Sequence, residues 1–337
     1  MTGARPVHAS MTQFPVVGDC VQLGGVSLVD LAKRVGRTPF YAYDRGAITR
    51  RVELLRKHLP GKVHLHYAMK ANPMPAVVEH IARLVDGLDV ASAGELRVAL
   101  AAGAKASTIS FAGPGKTDAD LAEAIGAGIV VNLESEREME RLAALGRERK
   151  ARPRVAVRVN PDFELKSSGM KMGGGPKQFG VDAERVPEML RRIGQLGLDF
   201  QGFHIFSGSQ NLRPEAIREA QEKTIELALR LAAHAPSPVR LLNIGGGFGI
   251  PYFPGEQPLD IAAVGANLGK ILDGARGLPE ARVVVELGRY VVGEAGLYVC
   301  RVIDRKVSRG HVFLITDGGL HHHLAASGNF GQVIRKN

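Results

Sequence analysis

Only two cysteines, Cys20 and Cys300, occur in 337 residues, and there is no tryptophan. Two such distant thiols make neither a disulfide framework nor a cysteine-based zinc site. Aromatic residues amount to 5% of the chain. The interleaving of basic and aromatic side chains that marks a nucleic-acid surface is therefore missing. No stretch approaches the ~20 apolar residues that span a bilayer. The N-terminus lacks a basic segment followed by a long apolar run, so no secretory leader is read there. The cytoplasm is the expected location, without a membrane or nucleic-acid partner.

Charge is plentiful and one-sided. The formal net charge is +10, with Lys and Arg scattered over the helical runs, which reads as a basic surface that favours anionic ligands. Glycine is also abundant, at 41 residues, and many glycines follow apolar runs, where loops begin.

Short β-rich runs alternate with amphipathic ones almost throughout. The predicted strands are residues 40–44, 64–70, 88–92, 108–113, 129–134, 154–160, 202–207, 240–246 and 282–288. Between them, apolar residues recur at three and four positions over 76–84, 95–102, 118–127, 136–150, 184–196, 214–234 and 261–278, as helices require. Repeated βα units predict a parallel sheet. Counting from 64–70 gives eight strands, so the expectation is an α/β fold, a (β/α)8 TIM barrel with a partial second β domain. Residues 1–45 would contribute to that β domain, 46–290 would form the barrel, and 291–337 an incomplete C-terminal β domain. Runs 290–307 and 312–316 read as its strands, with Cys300 as a core residue. The Gly- and Lys-rich stretch 161–180 reads as a mobile loop over a site.

In such a barrel, chemistry gathers at the C-terminal ends of the strands. The unusual polar residues fall there: Lys70, Asp89 and Ser92, Asn160, Ser207 and Ser209, the run Gly245–Gly246–Gly247, and Glu286 with Arg289. Lys70 closes the apolar segment HLHYAMK. Partial desolvation there would make it a good imine-forming amine; the plainer alternative is a rim lysine in solvent. Three consecutive glycines let backbone N–H groups approach a phosphate, although strand-to-loop glycines are also common. Glu286 ends the strand RVVVEL, where a buried carboxylate needs a partner. That partner is either a ligand cation or a salt bridge to Arg282 or Arg289.

The segments TPFYAYD, HYAMKANPMPAVV, LDVASAGEL, HIFSGSQ, NIGGGFG, ELGRY and TDGG together resemble the alanine-racemase-fold (fold type III) pyridoxal-phosphate decarboxylases. That group holds the ornithine, lysine, arginine and diaminopimelate decarboxylases. The wording HIFSGSQN and GLHHHLAASGNFGQV is similar to the bacterial exosortase-associated branch. The resemblance runs from about residue 38 to 319. It implies a pyridoxal 5'-phosphate enzyme, a homodimer, that removes the α-carboxylate of an amino acid as CO2 and delocalises the electrons into the cofactor ring. It implies Lys70 as the catalytic Schiff-base lysine. Ser209, Gly245, Gly246 and Gly247, helped by Arg289, would bind the phosphate. Glu286 would hold the pyridine nitrogen, while Asp89 and Ser92 would support the lysine region. His204, Phe206 and Gly288 complete the cofactor-binding set.

Three features depart from the family's pattern. Its ring-stacking histidine is Phe206 here, which can stack but carries no proton, and His204 lies two residues earlier. Its Glu-Pro-Gly-Arg reads Glu286-Leu287-Gly288-Arg289, keeping both charged residues. Its later cysteine and tyrosine motifs do not appear before Asn337, so the chain reads as shortened within the β domain. After TDGG, the arginine that clamps diaminopimelate is replaced by Leu324, Ala325 and Ala326, which disfavours that substrate. Asn160, His321 and His322 are expected in the substrate pocket. No metal is expected, because three adjacent histidines of a strand cannot all face one ion. Two further readings stay open: a cofactor-binding homologue without turnover, and a racemase of the same fold.

Overall fold

Eight parallel strands close on themselves, and each apolar run of the alternating pattern supplies one. The computed structural model describes residues 9, 11–163, 170–171, 174–275 and 277–322. The strands are β1 (Val63–Ala68), β2 (Gly87–Val90), β3 (Ile109–Phe111), β4 (Val130–Leu133), β5 (Arg154–Asn160), β6 (Asp199–Ile205), β7 (Leu241–Gly246) and β8 (Arg282–Leu287). Neighbours pair in chain order, and β8 pairs with β1 to complete the ring. A short extra strand, Val181–Asp182, also runs parallel to β5. The architecture is a (β/α)8 barrel, as the alternation predicts.

Helices follow the strands: α1 (Pro75–Ala82), α2 (Ala93–Ala101), α3 (Asp118–Ala127), α4 (Glu136–Glu148), α5 (Val186–Gln195), α6 (Pro214–Ala232) and α7 (Ile261–Gly274). Their starts are written in the sequence. Ser92, Thr117, Ser135 and Asp260 each accept a backbone N–H at a helix N-terminus. Helix α5 shows why they pack: Val186, Met189, Leu190 and Ile193 are buried at helical spacing. A further helix, Arg45–His58, precedes β1, in addition to those the alternation predicts.

Inside the barrel, Val130, Ala156, Leu241 and Val284 form one buried apolar layer. Two residues further along each of these strands stand Asn132, Arg158, Asn243 and Glu286. Strand side chains repeat every second residue, so a polar layer sits directly above the apolar one, toward the C-terminal rim. The apolar layer closes the barrel; the polar layer floors whatever lies at its mouth.

The chain divides into two compact units. The larger is Ile48–Pro251 with Gln257–Gly293; the smaller gathers the described residues up to Ala47, Tyr252–Glu256 and the described residues from Glu294 on. In the smaller unit, the strand Phe40–Tyr43 pairs antiparallel with β9 (Gly296–Val299). Strands β10 (Val302–Ser308) and β11 (His311–Thr316) form a hairpin. Asp317 accepts hydrogen bonds from the Thr38 hydroxyl and, at 2.8 Å, from the Arg301 N–H.

Two expectations for this region are corrected. Residues 290–307 do not form one strand: Arg289–Val292 is a helical turn, with Tyr290, Val291 and Val292 all buried. Cys300 is exposed rather than core, because it lies between β9 and a hairpin that nothing among the described residues covers. Residues 164–169 and 172–173 of the stretch 161–180 lie outside the described residues, as do His323 and the segment Leu324–Ala326.

Candidate active site

Lys70 does not end the strand. β1 stops at Ala68, and Met69–Ala71 form a single 3-10 turn. That turn is closed by the Asn72 N–H on the Met69 carbonyl at 3.0 Å, and the Tyr67 hydroxyl holds the Asn72 carbonyl at 3.0 Å. The turn lifts Lys70 out of the strand, so its side chain is exposed rather than desolvated. Gly288 lies against this turn: a Cβ there would come within 3.0 Å of Ala71 and 3.1 Å of the Ala68 carbonyl. The lysine turn and the end of β8 are therefore packed together.

The glycine run folds against the β6–α6 connection. Gly245 and Gly247 have φ of +68° and +71°, a region open to glycine at no steric cost. A Cβ on Gly247 would sit 2.0 Å from the Gly208 carbonyl and 3.2 Å from Ser209 Cα; one on Gly245 would sit 2.6 Å from the Phe206 ring. Phe206, Ser209 and the three glycines thus come together, beside a cavity lined by Phe206, Ser207, Gly208 and the glycines. Gly246 meets β8 as well, its missing Cβ 2.2 Å from the Glu286 carbonyl.

Glu286 belongs to the polar layer and is 12% exposed. Its Oε2 accepts from Asn243 Nδ2 at 3.1 Å and lies 3.1 Å from His204 Nε2. The second contact is an ion pair when the imidazole is protonated. Burial alone would raise the Glu286 carboxyl; His204, Lys70 and Arg158 outweigh it and hold the group well below the usual carboxylate range. The expected alternative partners, Arg282 and Arg289, are not the ones found. Arg289 is exposed and reaches Gln210 Oε1 at 3.5 Å.

Asp89 is buried, bonded to Ser110 and His66. Ser92 spends its hydroxyl on capping α2 through the Glu95 N–H at 3.1 Å, so it bears on the site through that helix. Asn160 donates to the Gly175 carbonyl at 2.9 Å and to Asp182 at 2.8 Å, tying the chain that follows β5. His321 and His322 lie on a 3-10 turn of the smaller unit and are exposed. They are not on a strand, and His322 Nδ1 pairs with the Tyr298 hydroxyl at 3.0 Å. Among the described residues, no cluster of metal-ligating side chains occurs.

Sequence reading missed a second group. The Lys116 ammonium, 1% exposed, bonds Glu138 at 3.0 Å and two backbone carbonyls. Arg158 pairs with Glu134 at 3.0 Å and lies over the Phe179 ring. Burial pushes the Lys116 amine down and the Glu138 carboxyl up, each opposed by the other's charge. Glu95 was missed too; burial raises its carboxyl, while the Ala91 N–H and the Lys70 charge pull the other way. The available signal for Arg158 was a charged residue inside an otherwise apolar strand, as in RVAVRVN.

Buried polar atoms of native proteins almost always find a partner. Among the described residues, Asp89 Oδ2, Asn160 Oδ1 and His204 Nδ1 find none, and all belong to strands whose C-terminal ends face one rim. A parallel barrel with a glycine turn, an exposed lysine and unsatisfied polar groups at that rim is an enzyme scaffold. Residues 45–293 match the family described as "Pyridoxal-dependent decarboxylase, pyridoxal binding domain", and the chain belongs to it. It is 36% identical to the L-glutamyl-[BtrI acyl-carrier protein] decarboxylase of Niallia circulans, over 94% of this chain and 74% of the relative. It is 34% identical to the diaminopimelate decarboxylase of Aquifex aeolicus, over 88% and 70%. Among solved structures, diaminopimelate decarboxylase from Helicobacter pylori in complex with L-lysine superposes with a TM-score of 0.78 at 28% identity, covering 89% of this chain and 75% of that one. The protein is thus a pyridoxal-phosphate-dependent carboxy-lyase by family. The glycine turn a Cβ would block and the unpartnered polar atoms fit such a cofactor.

Proposed function

We propose that the protein decarboxylates an amino acid with Lys70 carrying pyridoxal phosphate as a Schiff base. The observation that carries this reading is the packing of the glycine turn 245–247 against Ser209 on one side and Glu286 on the other. The backbone of that turn and the Ser209 hydroxyl would hold the phosphate, with Arg289 as a charged donor. Glu286, kept ionised by its neighbours, would accept from the protonated ring nitrogen. The Phe206 ring would stack, since it can neither donate nor accept a proton. His204 would fix the Glu286 carboxylate, and Gly288 lets the lysine turn approach β8. When bound, the cofactor supplies the electron sink for the pair left by the departing carboxylate. The same reading has the protein working as a cytoplasmic homodimer.

The test is mass spectrometry of borohydride-reduced protein after adding pyridoxal phosphate. The expected result is one cofactor on the peptide containing Lys70, no label in Lys70→Ala, and CO2 release from a panel of lysine, ornithine, diaminopimelate and an L-glutamyl thioester. Label on another lysine, or none, sinks the assignment. Loss of chirality without CO2 would favour the racemase reading.

A further inference from the structure

The barrel holds a buried polar chain that the reaction as described does not use. Asn132 Nδ2 donates to Ser110 Oγ at 3.1 Å, Ser110 Oγ donates to Asp89 Oδ1 at 2.5 Å, and His66 Nδ1 meets the same Oδ1 at 3.2 Å. A carboxylate oxygen accepts, so His66 Nδ1 is the donor of this contact in the tautomer that pairs it with Asp89. All four residues are buried. Two donors converge on one oxygen of Asp89, while the other, Oδ2, has no partner among the described residues.

Room for the histidine is built in. His66 stands beside Gly87 in the β1–β2 register. A Cβ on Gly87 would meet His66 Nε2 at 2.5 Å and Cε1 at 2.6 Å, so the imidazole occupies space that any other residue at 87 would fill. Asp89 is next up the same register, opposite Ala68, and Lys70 follows two residues later. The charged groups that bear on the lysine from other elements are Glu95 of α2 and Glu286 of β8. Each already has a partner: the Ala91 N–H for Glu95, Asn243 for Glu286.

We propose that His66 is a positioning residue for Lys70: it fixes Asp89 so that Oδ2 accepts a hydrogen bond from the lysine amine whenever that amine is free. This rests on the reading of Lys70 as the cofactor lysine. The bond orients the nitrogen for attack on the aldehyde and keeps it at the mouth while substrate holds the cofactor. It breaks and forms no covalent bond. A buried carboxylate with one oxygen pinned by two donors cannot rotate freely, which aims the second.

The test compares His66→Phe, His66→Asn, Asp89→Asn and the double variant His66→Phe/Asp89→Asn in the full chain stripped of cofactor. The readouts are the rate at which the visible band forms on adding pyridoxal phosphate, the Kd for the cofactor, and Tm. His66→Asn retains a donor near the Nδ1 position; His66→Phe removes it. His66→Phe is expected to slow band formation about tenfold or more, the worth of a charge-assisted hydrogen bond. His66→Asn should stay within about threefold, and adding His66→Phe to Asp89→Asn should cost little more, because both act through one carboxylate. Band formation in His66→Phe at the unsubstituted rate overturns the proposal. So do losses that multiply in the double variant, or a His66→Asn protein as slow as His66→Phe, which would mark a packing role. No band in the unsubstituted protein overturns the lysine reading and this one with it.

Discussion

The barrel strand RVVVEL and the hairpin strand HVFLIT are comparably apolar, and they meet opposite fates. In β8, Val284, Val285 and Leu287 are at most 1% exposed; in β11, Val312, Phe313, Leu314 and Ile315 are 40–60% exposed. Strand formation is local in both, driven by β-branched and aromatic residues. Burial is not local. It needs a second surface, and the closed barrel provides one from its own neighbours, while among the described residues the hairpin has only its partner strand. The comparison also locates the chemistry. Where cover is complete, polar groups inside it are costly and persist only in networks, and those networks floor the barrel mouth.

The largest effect that sharpens this contrast is expected at Lys116. Replacing it by Met should cost about 3–5 kcal/mol in urea unfolding, because the Glu138 charge is left buried without its partner. The loss should shrink as pH falls. Burial already raises the Glu138 carboxyl, and a group raised in the folded state contributes stability below its unfolded value and loses it as pH rises through the folded one. A loss that grew on acidification would show that Glu138 is not the group left exposed to the penalty. Next comes Leu242→Ala on β7, where the side chain is fully buried. A cost of about 2–5 kcal/mol is expected, and a value below 1 would mean the barrel core is looser than its packing.

How much of this was legible beforehand differs by layer. The eight strands and the helices between them followed from periodicity, because each element is decided by its own residues. The family motifs likewise pointed at Lys70, Glu286, Ser209 and the glycines. The inward polar layer was not read, although Asn132, Arg158 and Asn243 each stand two residues beyond a member of the apolar layer. Those strands are apolar runs by composition, and the face each polar residue takes depends on where the strand begins. The partners of Asp89 and Glu286 were beyond reach for another reason. His66 comes from the strand next to Asp89, 23 residues away in sequence, and His204 from the strand next but one to Glu286, 82 residues away, and only the closed barrel brings them together. Lys70's exposure turned on a single 3-10 turn, which propensity does not resolve.

A smaller effect separates capping from catalysis. Ser92→Ala should cost about 1 kcal/mol, the worth of one N-cap. Cofactor uptake should change only to the extent that α2 carries Glu95 away from Lys70. Uptake falling more than tenfold at unchanged Tm would give Ser92 a direct contact with the cofactor.

The smallest effect tests the hairpin. Leu314 is 60% exposed, so Leu314→Ala removes little buried area and should change stability by no more than about 0.5 kcal/mol. Measured beside Leu242→Ala in the same urea titration, the pair isolates cover as the variable, since the residue and the substitution are identical. Should Leu314→Ala cost 2 kcal/mol or more, the strand is covered in solution. Repeating the titration at several protein concentrations then separates the two sources of cover. A second copy makes the midpoint rise with concentration, whereas another part of the same chain leaves it fixed.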